Sequence, residues 1–220
     1  MKIITKIQID FSENVQKMVS NANWYIDIKQ SESYHKLRHQ IYDIRCHMKT
    51  IKPKKEEECN MAKIYYDDDA NLELVTEKVV AIIGYGNQGR AQALNMRDSG
   101  VKRVIVGSRE DGSYDQAVKD GFEVFPIDEA CKKADIIFML LPDEYAPKIF
   151  EEKIAPGLEE GNIINFASAY NITFHKIVPP KFVDVVMAAP RMIGEGVRDL
   201  YLRGEGSPAF VGVAQDARCV

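Results

Sequence analysis

At 220 residues, with 45% of them hydrophobic and a formal net charge of -4, the chain can bury one full-sized core. Its mild acidity removes the electrostatic reason to expect nucleic acid or an anionic membrane as a partner, so a small-molecule ligand is expected instead. Cys46, Cys59, Cys131 and Cys219 form no CxxC pair, which leaves no sign of a zinc site or disulfide framework and points to a reducing, cytoplasmic home.

No apolar run approaches the roughly 20 residues of a membrane helix. The N-terminus shows neither a secretory hydrophobic segment nor a transit pattern. Residues 1–60 are polar and rich in Lys and His, and they read as an extension, helical or disordered, outside the main domain. Within them Tyr34, Leu37, Ile41, Ile44 and Met48 recur at helical spacing, an amphipathic stripe able to meet a partner. His35 and His39 stand at i, i+4, but with no third ligand placed by the pattern a solvated helix face is the better reading. The stretch "KKEEECNM" would be encoded by a purine-rich run resembling a bacterial ribosome-binding site, so Met61 is expected to be the native start.

From about Ala62 the grammar changes. "KVVAIIGYG", "VKRVIVGSR", "ADIIFMLLPD", "GNIINFASA", "FVDVVMAAP" and "PAFVGVA" are apolar runs without polar alternation, as expected of strands covered on both faces. Helical stretches between them make successive βα units, which predicts an α/β fold of Rossmann type with a doubly wound parallel sheet. Gly100, Gly121, Pro142, Gly161 and Pro179-Pro180 punctuate the loops. The domain is expected to span residues 61–212, with 213–220 beginning a further helical domain.

Gly84, Gly86 and Gly89 form GxGxxG directly after the first strand and at the mouth of a helix. Gly84 serves a tight turn, Gly86 has no Cβ to obstruct a pyrophosphate, and Gly89 lets the helix approach the strand. After the second strand comes "VGSREDGSYD": Arg109 and Ser113 suit a 2′-phosphate, while Glu110 and Asp111 suit a 2′-hydroxyl. Pro142, Asp143 and Glu144 follow the strand "IIFML" at the edge where such sheets bind ligands. Alternatively the two acids there serve only a helix N-terminus. The loops "NFASAYN" and "AAPRMIGEG" emerge at the same edge.

These residues resemble the ketol-acid reductoisomerase (acetohydroxy acid isomeroreductase) family. The likeness runs from Met61 to about Asp216, through "MAKIYYDDDANLELV", "GYGNQGRAQALNMRDSG", "LLPDE", "IAPGLEEG", "VDVVMAAP" and "PAFVGV". The resemblance implies a two-step reaction on 2-acetolactate or 2-aceto-2-hydroxybutyrate: Mg2+-dependent alkyl migration, then reduction by NADPH or NADH. It puts Tyr85, Gly86, Asn87 and Gln88 on the pyrophosphate turn, Arg109 and Ser113 on 2′-phosphate contacts, and Pro142, Asp143, Glu144 and Gly194 near the cofactor. It places Ser168 where the family carries a catalytic histidine, and Arg191 where it carries lysine. Serine cannot replace histidine as a neutral-pH acid or base unaided, and arginine keeps charge without proton transfer. The family's magnesium ligands lie in a C-terminal helical domain, so Mg2+ is expected only with that domain, and a homo-oligomer only in a full-length form. A stand-alone NAD(P)-binding module with a partner-binding N-terminal helix, and another Rossmann oxidoreductase, are the competing readings.

Overall fold

Each of the six apolar runs becomes a strand in the computed structural model, which describes residue 65 and residues 69–217. The helical stripe at 34–48, the His35/His39 pair and the Met61 start lie outside the described residues. After a short helix α1 (Glu73–Thr76) come β1 (Val79–Ile83), α2 (Asn87–Asp98), β2 (Arg103–Gly107), α3 (Gly112–Lys119), β3 (Glu123–Phe125), α4 (Ile127–Lys133) and β4 (Ile136–Met139). Helix α5 (Ala146–Ile149) runs on through a π turn at Phe150–Ile154 and a 3-10 turn at Ala155–Gly157. Then follow β5 (Ile163–Phe166), α6 (Tyr170–Thr173), β6 (Asp184–Pro190), α7 (Gly194–Leu202) and β7 (Ala209–Gln215).

The sheet order is β3-β2-β1-β4-β5-β6-β7. Ala81 stands beside Ile105 of β2 and Ile137 of β4, and Ile137 beside Ile164 of β5, all in parallel register. Alternate residues feed two cores, one per face. Ala81, Ile83, Ile137, Met139 and Ile164 enter the layer under α4 and the π turn, while Val80, Ile82, Ile136 and Phe138 enter the layer that includes Ala93 and Leu94 of α2. Burial on both faces is why these strands lack polar alternation.

Two features depart from the sequence reading. Strand β3 has only three residues, Glu-Val-Phe between Gly121 and Pro126, too short for its apolar pattern to stand out. Strand β7 pairs with β6 antiparallel, so the sheet is parallel only through β6. The cause is the path of α7. It runs beside α2 in the same direction, with Glu195 near Asn87, Arg198 bonded to Asn95, and Tyr201 bonded to Ser99. Residues 203–208 then return the chain to where β6 ended, and the Arg191 N–H donates to the Pro208 carbonyl at 2.9 Å. Arg203 and Gly204 turn the chain at the end of the helix, and the four residues after them can span about 13 Å when extended, enough to match the roughly 13 Å descent of a nine-residue helix. Strand β7 also carries the sheet through Gln215, three residues beyond the expected boundary at 212.

Candidate functional site

The strand order reverses between β1 and β4, and the loops leaving their carboxyl ends frame the crevice where open α/β sheets take ligands. From β1 the chain enters Gly84 at φ +95°, a conformation L side chains rarely adopt, and a Cβ there would lie 2.9 Å from the Leu140 carbonyl oxygen. A Cβ on Gly89 would collide with the Gly84 carbonyl oxygen. Gly89 therefore brings α2 hard against the end of β1, and Gly84 lets the turn lie against Leu140 after β4. Gly86 is the opposite case: it is exposed, and a Cβ would meet nothing within 4 Å. It is also the N-cap of α2, and no side chain among the described residues caps that helix. Uncapped amide N–H groups, the positive end of the helix dipole and open space above Gly86 fit a bound pyrophosphate.

Tyr85 lies on the glycine turn with its side chain directed into the protein. Its ring is 3% exposed, lies edge-on to Phe122, and its hydroxyl donates to Asp120 Oδ2 at 2.9 Å. Burial, then the neighbouring carboxylate, raises the phenol well above its ordinary pKa. Asp120 also accepts from Arg90 Nε at 2.7 Å and Gln116 Nε2 at 3.0 Å. The Arg90 bond foremost, helped by Tyr85 and Gln116, holds its carboxyl below the usual range. Only the backbone of Tyr85 remains at the turn, while its side chain ties the turn to the end of α3.

Asn87 and Gln88 fasten the turn to the loop after β6. Asn87 Oδ1 accepts the Glu195 N–H at 2.8 Å, and Gln88 Nε2 donates to the Met192 carbonyl at 2.7 Å. Gly194 allows this approach, since a Cβ there would run into the Asn87 backbone. It joins the site by letting α7 touch α2.

After β2, Asp111 is the N-cap of α3, accepting from the N–H groups of Ser113 at 2.9 Å and Tyr114 at 3.3 Å. Its carboxylate is therefore engaged by its own helix. The Arg109 side chain is 82% exposed, with Nη2 3.9 Å from Asp111 Oδ2, so its guanidinium is free to meet an anion. Ser113 is half-buried in the first turn of α3 and Glu110 is exposed.

Beyond β4 lies a cleft of about 260 Å³ lined by Gln88, Leu140, Leu141, Pro142, Asp143, Phe166, Ser168 and Asn171 among others. Ser168 Oγ donates to Asp143 Oδ2 at 3.3 Å. Glu144 is exposed in the turn opening α5 and is absent from the lining. Arg191 is elsewhere, its guanidinium 5.0 Å from the centre of the Phe210 ring on β7. Cys131 is buried on α4 with its thiol pushed up to about 12 by desolvation, which leaves it inert. Among the described residues no group of three or more His, Cys, Asp or Glu stands close enough to hold a metal ion, and no helix is long and apolar enough to cross a membrane. The pattern reading passed over Leu140, Leu141 and Asn171 as cleft residues, although Asn171 closes the "FASAYN" stretch it quoted.

A sheet of order 3-2-1-4-5-6 whose first strand feeds a glycine turn into an uncapped helix defines a Rossmann dinucleotide-binding domain. The family described as "Acetohydroxy acid isomeroreductase, NADPH-binding domain" matches residues 74–219. "Ketol-acid reductoisomerase (NADP(+))" of Pyrococcus abyssi is 52% identical over 157 residues, covering 71% of this chain and 47% of the relative. The protein of the same name from Methanopyrus kandleri is 53% identical over 157 residues, 71% of this chain and 48% of its own. Among solved structures, an NADH-preferring ketol-acid reductoisomerase from an uncultured archean superposes with a TM-score of 0.70 at 41% identity, covering 72% of this chain and 49% of that one. The chain belongs to the ketol-acid reductoisomerase family, through that family's NADPH-binding domain. It spans about half the length of the curated relatives it matches.

Proposed function

We propose that this chain is the cofactor-binding part of a ketol-acid reductoisomerase, holding NADPH, and NADH less tightly, for reduction of the rearranged product of 2-acetolactate or 2-aceto-2-hydroxybutyrate in branched-chain amino acid synthesis. The observation that carries the reading is the open, uncapped N-terminus of α2 at the point where the strand order reverses. There the N–H groups of the first turn bind the pyrophosphate, and Gly86 leaves it room. Arg109 and Ser113 flank the adenosine 2′-position, Arg109 supplying the charge that separates a phosphate from a hydroxyl. Pro142 and Asp143 form the wall on the nicotinamide side, with Gly194 holding the opposite loop in place. When bound, the dinucleotide supplies the hydride.

Two divalent ions are what the alkyl migration requires, deprotonating the hydroxyl while polarising the ketone. In this proposal their carboxylates belong to the portion of the relatives that residues 1–220 do not match. The unit expected at residues 61–212, carried by β7 through Gln215, then acts as the dinucleotide-binding part, and the residues after it lead towards the metal-binding one. Ser168 does not take over the histidine's proton transfer, and Arg191 contributes charge alone. The setting is cytoplasmic and the working form a homo-oligomer of longer chains.

Titration of purified 1–220 with NADPH and NADH, followed by nicotinamide fluorescence, tests the reading. Saturable binding of NADPH, tighter than NADH, without turnover of 2-acetolactate and Mg2+, is expected. Failure to bind either dinucleotide would overturn the cofactor role, and turnover would overturn the assignment of the metal ligands.

A further inference from the structure

The turn after β5 holds a buried amide whose side-chain hydrogen bonds both go to one residue, Asp143. Asn171, on α6, is 1% exposed. Its backbone is pinned from behind, the carbonyl accepting from the N–H groups of Lys176 at 2.8 Å and Ile177 at 3.0 Å. Its Nδ2 donates to Asp143 Oδ1 at 2.9 Å and to the Asp143 carbonyl at 3.3 Å. Its Oδ1 is buried and has no hydrogen-bond partner among the described residues. An amide kept only to satisfy its surroundings would not leave that oxygen unpaired, because a buried polar atom without a partner costs stability.

Ser168 Oγ completes the arrangement by reaching Asp143 Oδ2 at 3.3 Å while accepting the Tyr170 N–H at 3.3 Å. Each carboxylate oxygen of Asp143 thus has one fixed donor and a remaining lone pair. Asp143 itself is exposed and lines the cleft. The cleft lies on the β4-β5 side of the glycine turn, whereas the Arg109 loop lies on the β2 side. A dinucleotide with its pyrophosphate on α2 and its adenosine towards β2 therefore brings its nicotinamide half past Asp143. The hydrogen-bond donors of that half are ribose hydroxyls and a carboxamide NH2, and they suit a carboxylate acceptor.

We propose that Asn171 is a positioning residue which, with Ser168, locks Asp143 as the acceptor for the nicotinamide half of the cofactor. This rests on the dinucleotide-binding reading given above. The serine at the family's histidine position then has a task of its own, as an orienting hydrogen bond.

The test compares two ligands on the whole 220-residue chain: NADPH, and 2′-phospho-ADP, which lacks both the nicotinamide and the ribose that carries it. Asn171→Ala is expected to weaken NADPH about tenfold, the order of one charge-assisted hydrogen bond, and to leave 2′-phospho-ADP within about twofold. Asp143→Ala, a change at an exposed site, should reproduce the same split, and the double variant should be no worse than Asp143→Ala alone. Equal loss of both ligands in Asn171→Ala, no loss of either, or additive losses in the double variant would overturn the proposal. If the unmodified chain binds neither ligand, the dinucleotide reading fails and this proposal falls with it. If it binds both equally well and Asp143→Ala changes nothing, only this proposal falls.

Discussion

The turns after β1 and β2 each deliver a strand into a helix N-terminus at the same sheet edge, and they finish that terminus in opposite ways. At α2 the N-cap is Gly86, with no capping side chain among the described residues and open space above it. At α3 the N-cap is Asp111, whose carboxylate takes the Ser113 and Tyr114 N–H groups. A helix end satisfied by its own chain needs no ligand, and one left open favours an anion. In the proposed function, recognition at the first turn is thus backbone work available to any pyrophosphate, while at the second it falls to the exposed Arg109 guanidinium, which can discriminate. The Asp111 carboxylate, which local sequence alone makes equally a 2′-hydroxyl acceptor or a loop charge, is first of all a helix cap.

The contrast can be broken most severely at Gly89. In Gly89→Ala the new methyl has no path away from the Gly84 carbonyl, so we expect about 1–3 kcal/mol of lost stability, typical of overpacking, read by urea denaturation. Dinucleotide binding should be lost with it, by isothermal titration. A variant of wild-type stability would show that α2 can slide away from β1 freely.

Arg109→Ala sharpens the comparison from the other turn. With the guanidinium 82% exposed, the loss should be roughly threefold to tenfold in NADPH affinity and absent for NADH, because solvent-screened charge pairs are modest. Equal losses for the two cofactors would place Arg109 away from the 2′-position. Asp111→Ala should cost about 1 kcal/mol of stability through the lost cap, while Asp111→Asn keeps most of it. If the two variants unfold alike, the cap is not what the carboxylate contributes.

The smallest effect belongs to the latch beneath the first turn. Tyr85→Phe should cost about 0.5–1.5 kcal/mol and leave cofactor affinity unchanged, since the hydroxyl points at Asp120 rather than into the cleft. Asp120 adds a pH dependence. Its folded pKa lies below the unfolded value, first through the Arg90 bond, so its stabilisation is fully present above the unfolded pKa near 4 and is lost as pH falls through the folded one. Unfolding midpoints of wild type and Asp120→Asn should therefore converge on acidification below about pH 4. A gap that stays constant to pH 2 would rule out this origin.

Most of the sheet was legible in advance because its signals are local. An apolar run bounded by Gly or Pro reports a doubly covered strand wherever it stands, and Gly84, Gly86 and Gly89 report their turn by their spacing. Strand β3 escaped because three residues carry too little periodicity. Tyr85 escaped as a structural residue because a tyrosine in a glycine turn reads the same whether its ring faces a ligand or Phe122.

By itself the sequence determined the chain order of six of the seven strands, the glycine turn and the family, since each rests on neighbouring residues and their chemistry. Tertiary structure alone decided the direction of β7, the destination of the Tyr85 hydroxyl, the bolting of Gln88 to Met192 and the clamp of Asn171 on Asp143. Those contacts join residues 35, 104 and 28 positions apart for the last three. Their partners are chosen by how helices and loops meet over the finished sheet, and no local pattern records that choice.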